Sequence, residues 1–576
     1  MTFAGKALVL GDDTRSFLAT VRSLGRQGIE VHAAPFDMTA PALQSRYIRR
    51  TQFLPYYLDG GGEWLAAMKA LLLAERYDLV IPCEERSLLP LFVHRAELET
   101  LTVLAIPDER GLDAFFDKHR TRELAGKLNI PVAKGRLLAA GDTAAAIEAE
   151  LGLPLIAKPR KSYVWPDIYV RNGARLIERP EDVVAVIAKH ADAPDEILLE
   201  QLFPGSGLGV SVLCHEGAVL QAFEHRRAHE LFGSSYYRRS VSVDPQRLAA
   251  VSAFASDVAY TGLAMFEFKL DEANGQWILL EVNARPWGSL PLPVSIGVDF
   301  PYRLYQLLVK RQVTAEVTYP AERYARNFVL DLWQLRSVLG EWRKHPAVSI
   351  GQVMSWLWGF RRWLTGKETF DVWVSDDSKP ARAELRQFIA ERVQAVLGRT
   401  SRSAALDALR QKLAERLQGL HEDSRVLFIC QGNICRSPYA EYKFRQLLPA
   451  DAPVVVQSAG LLPRNRRGSP QEAMEAAERR GVDLSSHKSL HAGRKLVESA
   501  DVIFLFDEIN ALSFERRYPD LVDKTFPLDA FARVKTTREI HDPEGKSVEV
   551  FSAIYDEIDD CLHGVAGALN ARMVKA

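Results

Sequence analysis

The stretch that most constrains the fold of this chain runs from Val426 to Glu441 and reads VLFICQGNICRSPYAE. Its apolar start predicts a buried strand that ends at Cys430, and the pattern after Pro438 predicts a helix. A tight loop between a strand and a helix N-terminus gathers backbone N–H groups around one point, which suits a tetrahedral anion. The segment therefore predicts an α/β domain with an anion-binding loop.

The cysteine at the base of this loop has the surroundings of a nucleophile. The N–H dipoles and the neighbouring Arg436 favour thiolate over thiol at Cys430. Arg436 can also hold two oxygens of a phosphoryl group in a bidentate fashion. Gly432 lets the loop approach an anion closely, and Asn433 tolerates a left-handed backbone. A bare Cys-x5-Arg would instead indicate an inert buried cysteine, so the surrounding residues carry the prediction.

The whole segment resembles the active-site loop of the low-molecular-weight protein tyrosine phosphatases, C-x-G-N-x-C-R-S-P. The resemblance implies a parallel-sheet α/β domain over residues 421–576 and a phosphocysteine intermediate. It makes Cys430, Arg436 and Ser437 catalytic, with Ser437 assisting the departure of the thiolate. It implies that the loop residues between them bind phosphate: Gln431, Gly432, Asn433, Ile434 and Cys435. Relatives also imply a protective disulfide between Cys435 and Cys430 on oxidation.

The leaving group of a phosphoester needs a proton, and HDPEG supplies a carboxyl group for it. Asp542 precedes Pro543 in a loop just before the predicted last helix. The dipeptide alone indicates only a turn. The resemblance makes Asp542 the general acid, and then the general base for the water that hydrolyses the phosphocysteine.

Two departures from the family pattern bear on the substrate. Glu544 and Gly545 stand where relatives carry aromatic residues, and a basic run makes one rim of the pocket cationic. That run contains Arg464, Arg466 and Arg467. Less aromatic stacking and more positive charge favour an unusual or anionic substrate. Ile434, where phosphoarginine-type relatives carry threonine, argues against phosphoarginine, and the lack of cysteines between Cys435 and Cys561 argues against arsenate reduction.

A second group of features lies upstream. Lys118 heads a predicted helix, and Lys158 ends an apolar strand. The backbone around Gln201 and Leu202, where a strand runs into a Pro-Gly turn, could contact an adenine edge. The segment MFEFKLDEANGQWILLEVNARPWGS predicts two strands joined by a turn, and its oxygen-bearing side chains would suit Mg²⁺ that bridges nucleotide phosphates.

In this order the features resemble the ATP-grasp superfamily, and more closely its carboxylate–amine ligases, over residues 1–312. The resemblance implies an acyl-phosphate intermediate, the cofactors ATP and Mg²⁺ (or Mn²⁺), and small-molecule carboxylate and amine substrates. The ATP-binding residues that it implies are Lys118, Lys158, Glu200, Gln201, Leu202, Arg226, Arg227 and Arg285. The metal ligands that it implies are Glu267, Glu281 and Asn283. A solvated charged loop remains the alternative for Arg226 and Arg227.

The length of 576 residues predicts several domains. The predicted order is a Rossmann-like pre-ATP-grasp domain (1–105), an ATP-grasp domain (106–312), a helical extension and connector (313–420) and the phosphatase domain (421–576). Within the connector we expect helices at Phe328–Leu339, Val353–Leu364 and Ala381–Leu417, the last with a break near Gly398. Its tryptophan-rich part suggests either a membrane-surface helix or, as the favoured alternative, a packing face. The fold class is therefore α/β multidomain.

The net charge and the cysteine content limit which partners and which cellular compartment we expect. A formal net charge of −1 offers no general attraction to nucleic acid or to an anionic membrane. Five scattered cysteines favour a reducing cytoplasm over a disulfide framework. No apolar run reaches the roughly 18 residues of a membrane span. The sequence leaves the oligomeric state open.

Three functional interpretations remain. The first is a bifunctional fusion of an ATP-dependent carboxylate ligase and a cysteine-dependent phosphatase that acts on a phosphorylated protein or a small phosphoester. The second is a protein tyrosine phosphatase regulated by an ATP-binding but non-ligating module. The third is a scaffold with one inactive site, which the intact motifs at both sites disfavour.

Overall fold

The computed structural model describes the chain except at fourteen places. These are residues 1–2, 164, 166–167, 170, 232–233, 341–353, 355, 357, 359–360, 398–408, 417–423, 450–453, 533–538 and 574–576. The chain divides into two compact units. The first comprises Met1–Phe36, Ala40–Leu54 and Leu65–Phe388, and the second comprises Asp37–Thr39, Pro55–Trp64 and Ile389–Ala576.

The first unit opens with a five-stranded parallel sheet of order β3-β2-β1-β4-β5. Its strands are β1 (Lys6–Leu10), β2 (Glu30–Ala34), β3 (Ile48–Thr51), β4 (Leu79–Pro82) and β5 (Val103–Leu104). The helices in this part of the chain are Ser16–Arg26, Gly62–Glu75, Glu85–Val93 and Arg95–Leu98. Strand, helix and parallel strand follow each other as the apolar pattern of the sequence predicts.

A small four-stranded sheet of order β6-β9-β7-β8 follows, with every neighbouring pair antiparallel. Its strands are β6 (Gly135–Leu137), β7 (Leu155–Pro159), β8 (Arg175–Ile177) and β9 (Ile197–Gln201). Two helices pack their apolar residues against it, Ala144–Leu151 and Pro180–Lys189. Two further helices, Glu109–Phe116 and Lys118–Lys127, precede this sheet. Lys158 and Glu200 thereby lie on neighbouring strands.

The largest sheet has seven strands in the order β14-β13-β10-β11-β12-β15-β16. The strands are β10 (Ser206–His215), β11 (Ala218–Leu231), β12 (Ser234–Val241), β13 (Gly262–Leu270), β14 (Trp277–Asn283), β15 (Tyr324–Arg326) and β16 (Glu368–Phe370). Three helices lie between strands of this sheet in the sequence: Pro245–Asp257 between β12 and β13, and Pro291–Ser295 and Phe300–Leu308 between β14 and β15. The pairing of β13 with β14 sets Glu267 directly opposite Glu281.

Residues 313–420, predicted to be largely helical, also contain the two short strands β15 and β16, which the prediction missed and which join the seven-stranded sheet. Each strand has only three residues, too few for an alternating apolar pattern to show in the sequence. The ion pair between Arg326 and Glu368 (2.6 Å) ties these two strands together.

The helices of this region also differ from their predicted bounds. They are Phe328–Gly340, Arg361–Leu364 and Lys379–Leu397. Residues 398–408, which include the break predicted near Gly398, lie outside the described residues, and residues 409–416 are helical. Part of the predicted helix Val353–Leu364 lies outside the described residues. In its described part Trp356 donates to Asp331 at 2.6 Å, whereas the side chain of Trp358 is 67% exposed.

The second unit contains a four-stranded parallel sheet of order β18-β17-β19-β20. Its strands are β17 (Ser424–Cys430), β18 (Val454–Gly460), β19 (Val502–Leu505) and β20 (Thr525–Pro527). Its helices are Arg436–Leu447, Gln471–Glu478, Arg494–Ser499, Glu508–Arg517 and Val548–Met573. Separate apolar clusters pack on the two faces of β17, one around Phe428 and one around Ile429. The predicted α/β class is confirmed.

Among the described helices, we find none whose length and apolar content would let it cross a lipid bilayer.

Candidate active sites

Cys430 is the last residue of the central strand β17, and the helix Arg436–Leu447 begins six residues later. The thiol is buried, and its sulfur lies 3.1 Å from Ser437 Oγ. The backbone N–H of Asn433 donates to the same sulfur at 3.3 Å. Asn433 has a φ of 52°, the left-handed backbone that the sequence predicted there. The loop therefore directs an amide and a hydroxyl at one sulfur.

Arg436 lies beside this sulfur and is almost fully buried. Its guanidinium forms ion pairs with Asp507 and with Asp542, the latter at 2.5 Å, and donates to the carbonyl oxygen of Ile540 at 2.9 Å. Burial alone would lower the pKa of Arg436, but Cys430 and the two carboxylates outweigh it and raise that pKa. The arginine therefore keeps its charge where a phosphoryl group would need it.

Asp542 lies at the rim, with 38% of its side chain exposed. The structure places Asp542 beside Arg436, the arginine of the phosphate-binding loop, as the sequence predicted. Its second oxygen accepts the backbone N–H of Glu544 at 3.3 Å. The neighbouring Cys435 is buried, and that burial, with Cys430 second, raises the pKa of its thiol. The Cys435 thiol therefore stays protonated at neutral pH.

The side chain of Asn433 connects the loop to two other segments. Its amide donates to Ser437 Oγ (2.9 Å) and to Ser458 Oγ (2.8 Å), and its oxygen accepts the N–H of Leu490 (2.8 Å). His487 Nε2 lies 2.8 Å from the Asn433 carbonyl oxygen. Burial lowers the pKa of His487, so the neutral ring donates this hydrogen bond. The loop geometry is thus fixed by groups more than twenty residues away in sequence.

Sequence reasoning missed several of these supports. Asp507 follows β19, whose carboxyl end shares a sheet edge with that of β17, so its position was available from the topology. Gly460 ends β18, and a Cβ there would lie 2.9 Å from the Gly432 carbonyl carbon and 3.0 Å from the Asn433 nitrogen. A side chain at residue 460 would therefore displace the loop backbone.

The upstream cleft is lined by paired charges. Lys158 forms an ion pair with Glu200, whose other oxygen accepts Arg122 Nη1 at 2.7 Å. Glu200 is buried, so the structure places it between two cations. Lys118 begins its helix as predicted, and its ammonium donates to Ser162 Oγ at 3.1 Å.

The predicted adenine contacts lie at the end of β9. The backbone N–H of Gln201 donates to the Lys134 carbonyl oxygen at 2.8 Å, and the backbone N–H of Leu202 donates to the Pro154 carbonyl oxygen at 3.3 Å. A base at this position would therefore meet N–H groups that already have acceptors in the protein.

The predicted metal ligands converge on two neighbouring strands. Glu267 and Glu281 are register partners, and Asn283 donates to Glu267 Oε1 at 3.2 Å. Burial, supported by the like charge of Glu281, raises the pKa of Glu267, although the ion pair with Arg227 opposes the shift. A divalent cation would offset this repulsion, and the oxygen donors are the type that Mg²⁺ prefers. The residues therefore fit the predicted metal.

The two predicted arginines of β11 have different environments. Arg227 reaches Glu267, whereas Arg226 pairs with the exposed Glu272 at 3.0 Å. Consecutive residues of a strand point to opposite faces, so only one of the pair can lie at the carboxylates. Among the described residues, no group of three or more His, Cys, Asp or Glu side chains is placed to hold a metal by itself.

A polar cavity of about 400 Å³ borders the carboxylates within the first unit. Arg285 lines it and donates to Glu85 and to Asn283, each at 3.1 Å. Four side-chain nitrogens of its lining have no hydrogen-bond partner among the described residues: His225 Nδ1, Arg238 Nε, Arg285 Nε and Trp287 Nε1. Three of them can only donate, so the lining suits an anionic ligand.

Comparison with known proteins bears on both regions. Residues 425–575 match the family model of the low molecular weight phosphotyrosine protein phosphatases. The low molecular weight protein-tyrosine-phosphatase Wzb of Escherichia coli strain K12 is 30% identical over 151 residues, which are 26% of this chain and 99% of Wzb. The corresponding phosphatase Ptp of Acinetobacter johnsonii is 33% identical over 103 residues, 18% of this chain and 70% of Ptp.

The chain belongs to the low molecular weight phosphotyrosine protein phosphatase family. Membership rests on the second unit, and it confirms the predicted class of enzyme. The Cys-x5-Arg loop of this phosphatase domain is the segment from Cys430 to Arg436.

The first unit matches a different family. Residues 193–327 match the family model described as ATP-grasp in the biosynthetic pathway with Ter operon. Among solved structures, the N5-carboxyaminoimidazole synthetase of Staphylococcus aureus is similar with a TM-score of 0.46 and 16% identity, covering 60% of this chain and 88% of that chain. The two family models together confirm the predicted fusion of an ATP-grasp domain with a low molecular weight phosphatase domain.

Proposed function

We propose that the phosphatase domain hydrolyses phosphate monoesters through a phosphocysteine intermediate on Cys430. The observation that carries this proposal is the buried sulfur that accepts the Asn433 N–H at 3.3 Å and lies 3.1 Å from Ser437 Oγ. Both contacts favour negative charge on sulfur, and Arg436 adds a cation beside it. These groups would also stabilise the thiolate when it leaves the phosphocysteine.

The two chemical steps balance as follows. Cys430 Sγ attacks phosphorus, the S–P bond forms, the P–O bond to the leaving group breaks, and Asp542 gives its proton to the leaving oxygen. Water then attacks phosphorus and gives its proton to Asp542, and the S–P bond breaks to release inorganic phosphate and the thiolate. Phosphoryl oxygens would replace Asp542 on Arg436, which frees the carboxyl group to reach the leaving oxygen.

Hydrolysis of p-nitrophenyl phosphate by two serine variants tests the nucleophile. We expect Cys430→Ser to lose activity by about 10⁴-fold or more. Cys435→Ser makes the same atomic change in the same loop, at a thiol that stays protonated, and should keep at least about a tenth of the activity. Equal activity of wild type and Cys430→Ser would disprove the assignment.

We further propose that the ATP-grasp domain is an ATP-dependent carboxylate ligase that forms an acyl phosphate. Glu267, Glu281 and Asn283 would hold Mg²⁺, which supplies positive charge to the nucleotide phosphates. Arg227 and Arg285 would hold the transferring phosphoryl group, and Lys118 and Lys158 would bind the phosphates of ATP. The unpartnered nitrogens of the 400 Å³ cavity support an anionic, carboxylate-bearing substrate there.

Hydroxylamine separates a ligase from a regulatory ATP-binding module, because it converts an acyl phosphate into a stable hydroxamate. The protein is incubated with Mg²⁺, ATP, hydroxylamine and a panel of carboxylic acids, and hydroxamate and ADP are measured. We expect hydroxamate from a subset of the acids. Glu281→Gln should abolish it, whereas Glu272→Gln, a change at an exposed carboxylate, should not. ATP binding without hydroxamate from any acid would favour the regulatory module.

A further inference from the structure

Two loops that contain no aromatic residue, 461–467 and 542–547, contact the phosphate-binding loop, through Leu462 and through Asp542. One guanidinium, that of Arg467, reaches over the phosphate-binding loop. Its Nη1 lies 3.8 Å from the position that a Cβ of Gly432 would occupy. A leaving group that projects from a phosphate on this loop would therefore meet a cation close to Gly432.

The backbone that carries Arg467 is fixed by hydrogen bonds to residues outside its own loop. Arg466 N donates to the Ser489 carbonyl oxygen (2.7 Å), Ser489 N donates to the Arg467 carbonyl oxygen (2.8 Å), and Arg467 N donates to Ser489 Oγ (3.0 Å). Leu462 N donates to the Gln431 carbonyl oxygen within the phosphate-binding loop (2.8 Å). The backbone position from which this cation extends is thereby held relative to the loop, so only the side chain has to be ordered when an ion pair forms.

The partner of Arg467 in the structure is replaceable. Arg467 Nη2 lies 3.5 Å from Glu544 Oε1, and the two side chains are 32% and 51% exposed. An exposed pair of this kind contributes only about 0–1 kcal/mol, so an anion on the substrate can displace Glu544. Because Glu544 N donates to Asp542, the competing carboxylate belongs to the same short loop as the proposed general acid.

We propose, on the basis of the phosphatase function above, that Arg467 determines specificity by binding a second anionic group on the leaving group of the substrate. The substrate class is then a phosphate monoester whose alcohol carries a carboxylate or another acidic group. Glu544 competes with that group for the guanidinium. A neutral ester is hydrolysed by the same chemistry but lacks this contact.

Two esters of nearly equal shape test the proposal, 4-carboxyphenyl phosphate and its neutral amide, 4-carbamoylphenyl phosphate. We expect kcat/KM of the wild type to be about tenfold higher for the carboxylate, as for a hydrogen bond to a charged group. Arg467→Met should lower that ratio to about one and change kcat/KM of the amide by less than about threefold. Glu544→Gln should raise the ratio, because the competing charge is removed. Arg479→Met, at an exposed arginine that pairs with Glu475, is the control and should keep the ratio.

A ratio near one in the wild type, or a ratio that Arg467→Met leaves unchanged, would overturn the proposal while both esters are still hydrolysed. If neither ester is hydrolysed in a manner that Cys430→Ser abolishes, the phosphatase mechanism fails instead. Phosphotyrosine peptides with Glu or Gln beside the phosphotyrosine give a second arm. If the wild type prefers the Glu peptide and Arg467→Met does not, the second anion belongs to a peptide substrate. If only the aryl carboxylate is preferred, the second anion belongs to a small-molecule substrate.

Discussion

The two sites of this chain are built in opposite ways. The phosphatase site takes its proposed nucleophile, its arginine and its proposed anion-binding amides from one segment, Cys430 to Ser437, and only its proposed general acid, Asp542, comes from another. The ATP-grasp cleft takes its groups from separate strands, and its cations pair with its own carboxylates, as Lys158 does with Glu200. A site made from one continuous segment can be recognised in the sequence with its geometry, whereas a dispersed site needs the fold before its contacts can be named.

The largest predicted effect concerns Asp542, the proposed general acid, which lies outside the segment Cys430 to Ser437. Asp542→Asn keeps an acceptor for Arg436 but removes the proton. We expect kcat to fall by about 10²–10⁴-fold for phenyl phosphate, whose leaving group needs protonation. The loss should be much smaller for p-nitrophenyl phosphate, since nitrophenolate leaves readily without a proton.

The control for this prediction is Asp507→Asn. Asp507 holds the same guanidinium but has no proposed proton to give, so its loss should be similar for the two esters. If Asp542→Asn also slowed both esters equally, Asp542 would act only by positioning Arg436.

Ligand-induced stabilisation tests whether the ATP-grasp cleft needs a metal ion to bind its ligand, whereas the phosphatase loop should need none. We expect inorganic phosphate to stabilise the second unit without any metal, and ADP to stabilise the first unit only with Mg²⁺. At about 100 times the dissociation constant each ligand adds about 2.7 kcal/mol, a shift of a few degrees in the melting temperature. Calorimetry with and without EDTA measures both. A shift of the first transition by ADP in EDTA would contradict the assigned role of Glu267 and Glu281.

The sequence predicted the parts of the fold that have a clear period. The alternating strands and helices of the second unit, the left-handed Asn433 and the placement of Glu267 and Glu281 on adjacent strands follow from local pattern and short-range pairing. The three-residue strands β15 and β16 carry no period, so they were missed. The pairing of Glu200 with Lys158 and Arg122 depends on which strands are neighbours, and propensity does not specify that.

Two glycine substitutions test how far the phosphate-binding loop depends on its contact with Gly460. Gly460→Ala places a Cβ against backbone atoms 2.9 and 3.0 Å away, which cannot yield as a side chain can. We expect it to cost about 1–3 kcal/mol in the free energy of unfolding of the second unit and to lower kcat. Gly432→Ala meets its nearest side-chain atoms at 3.5 and 3.8 Å, so stability should change by less than about 0.5 kcal/mol.

Gly432→Ala should nevertheless weaken phosphate binding, because a methyl group would occupy space beside the bound anion. Denaturant unfolding and competitive inhibition by phosphate measure the two effects. Equal destabilisation by both substitutions would mean that Gly460 is not a specific support of the loop.

The smallest predicted effect is an opposite response of the two units to pH. Burial lowers the pKa of His491 to about 4 in the folded second unit, from 6.5 when exposed. The unfolded unit therefore binds more protons between these values, and its stability falls as the pH falls from 6.5 towards 4. In the first unit, burial raises the pKa of Glu384 to about 7 from 4.5. Here the folded form binds more protons, so stability rises as the pH falls from 7 to 4.5.

Calorimetry at pH 7 and pH 5 should therefore show the melting temperatures of the two units changing in opposite directions, each measured relative to its matched variant. Because Glu384 is partly exposed, we expect only about 1 kcal/mol from it, and about 1–2 kcal/mol from the more buried His491. Glu384→Gln should remove its share of the pH response from the first transition alone, and His491→Gln from the second alone. If either variant kept the wild-type pH response of its own unit, burial of that residue would not be the source of the response.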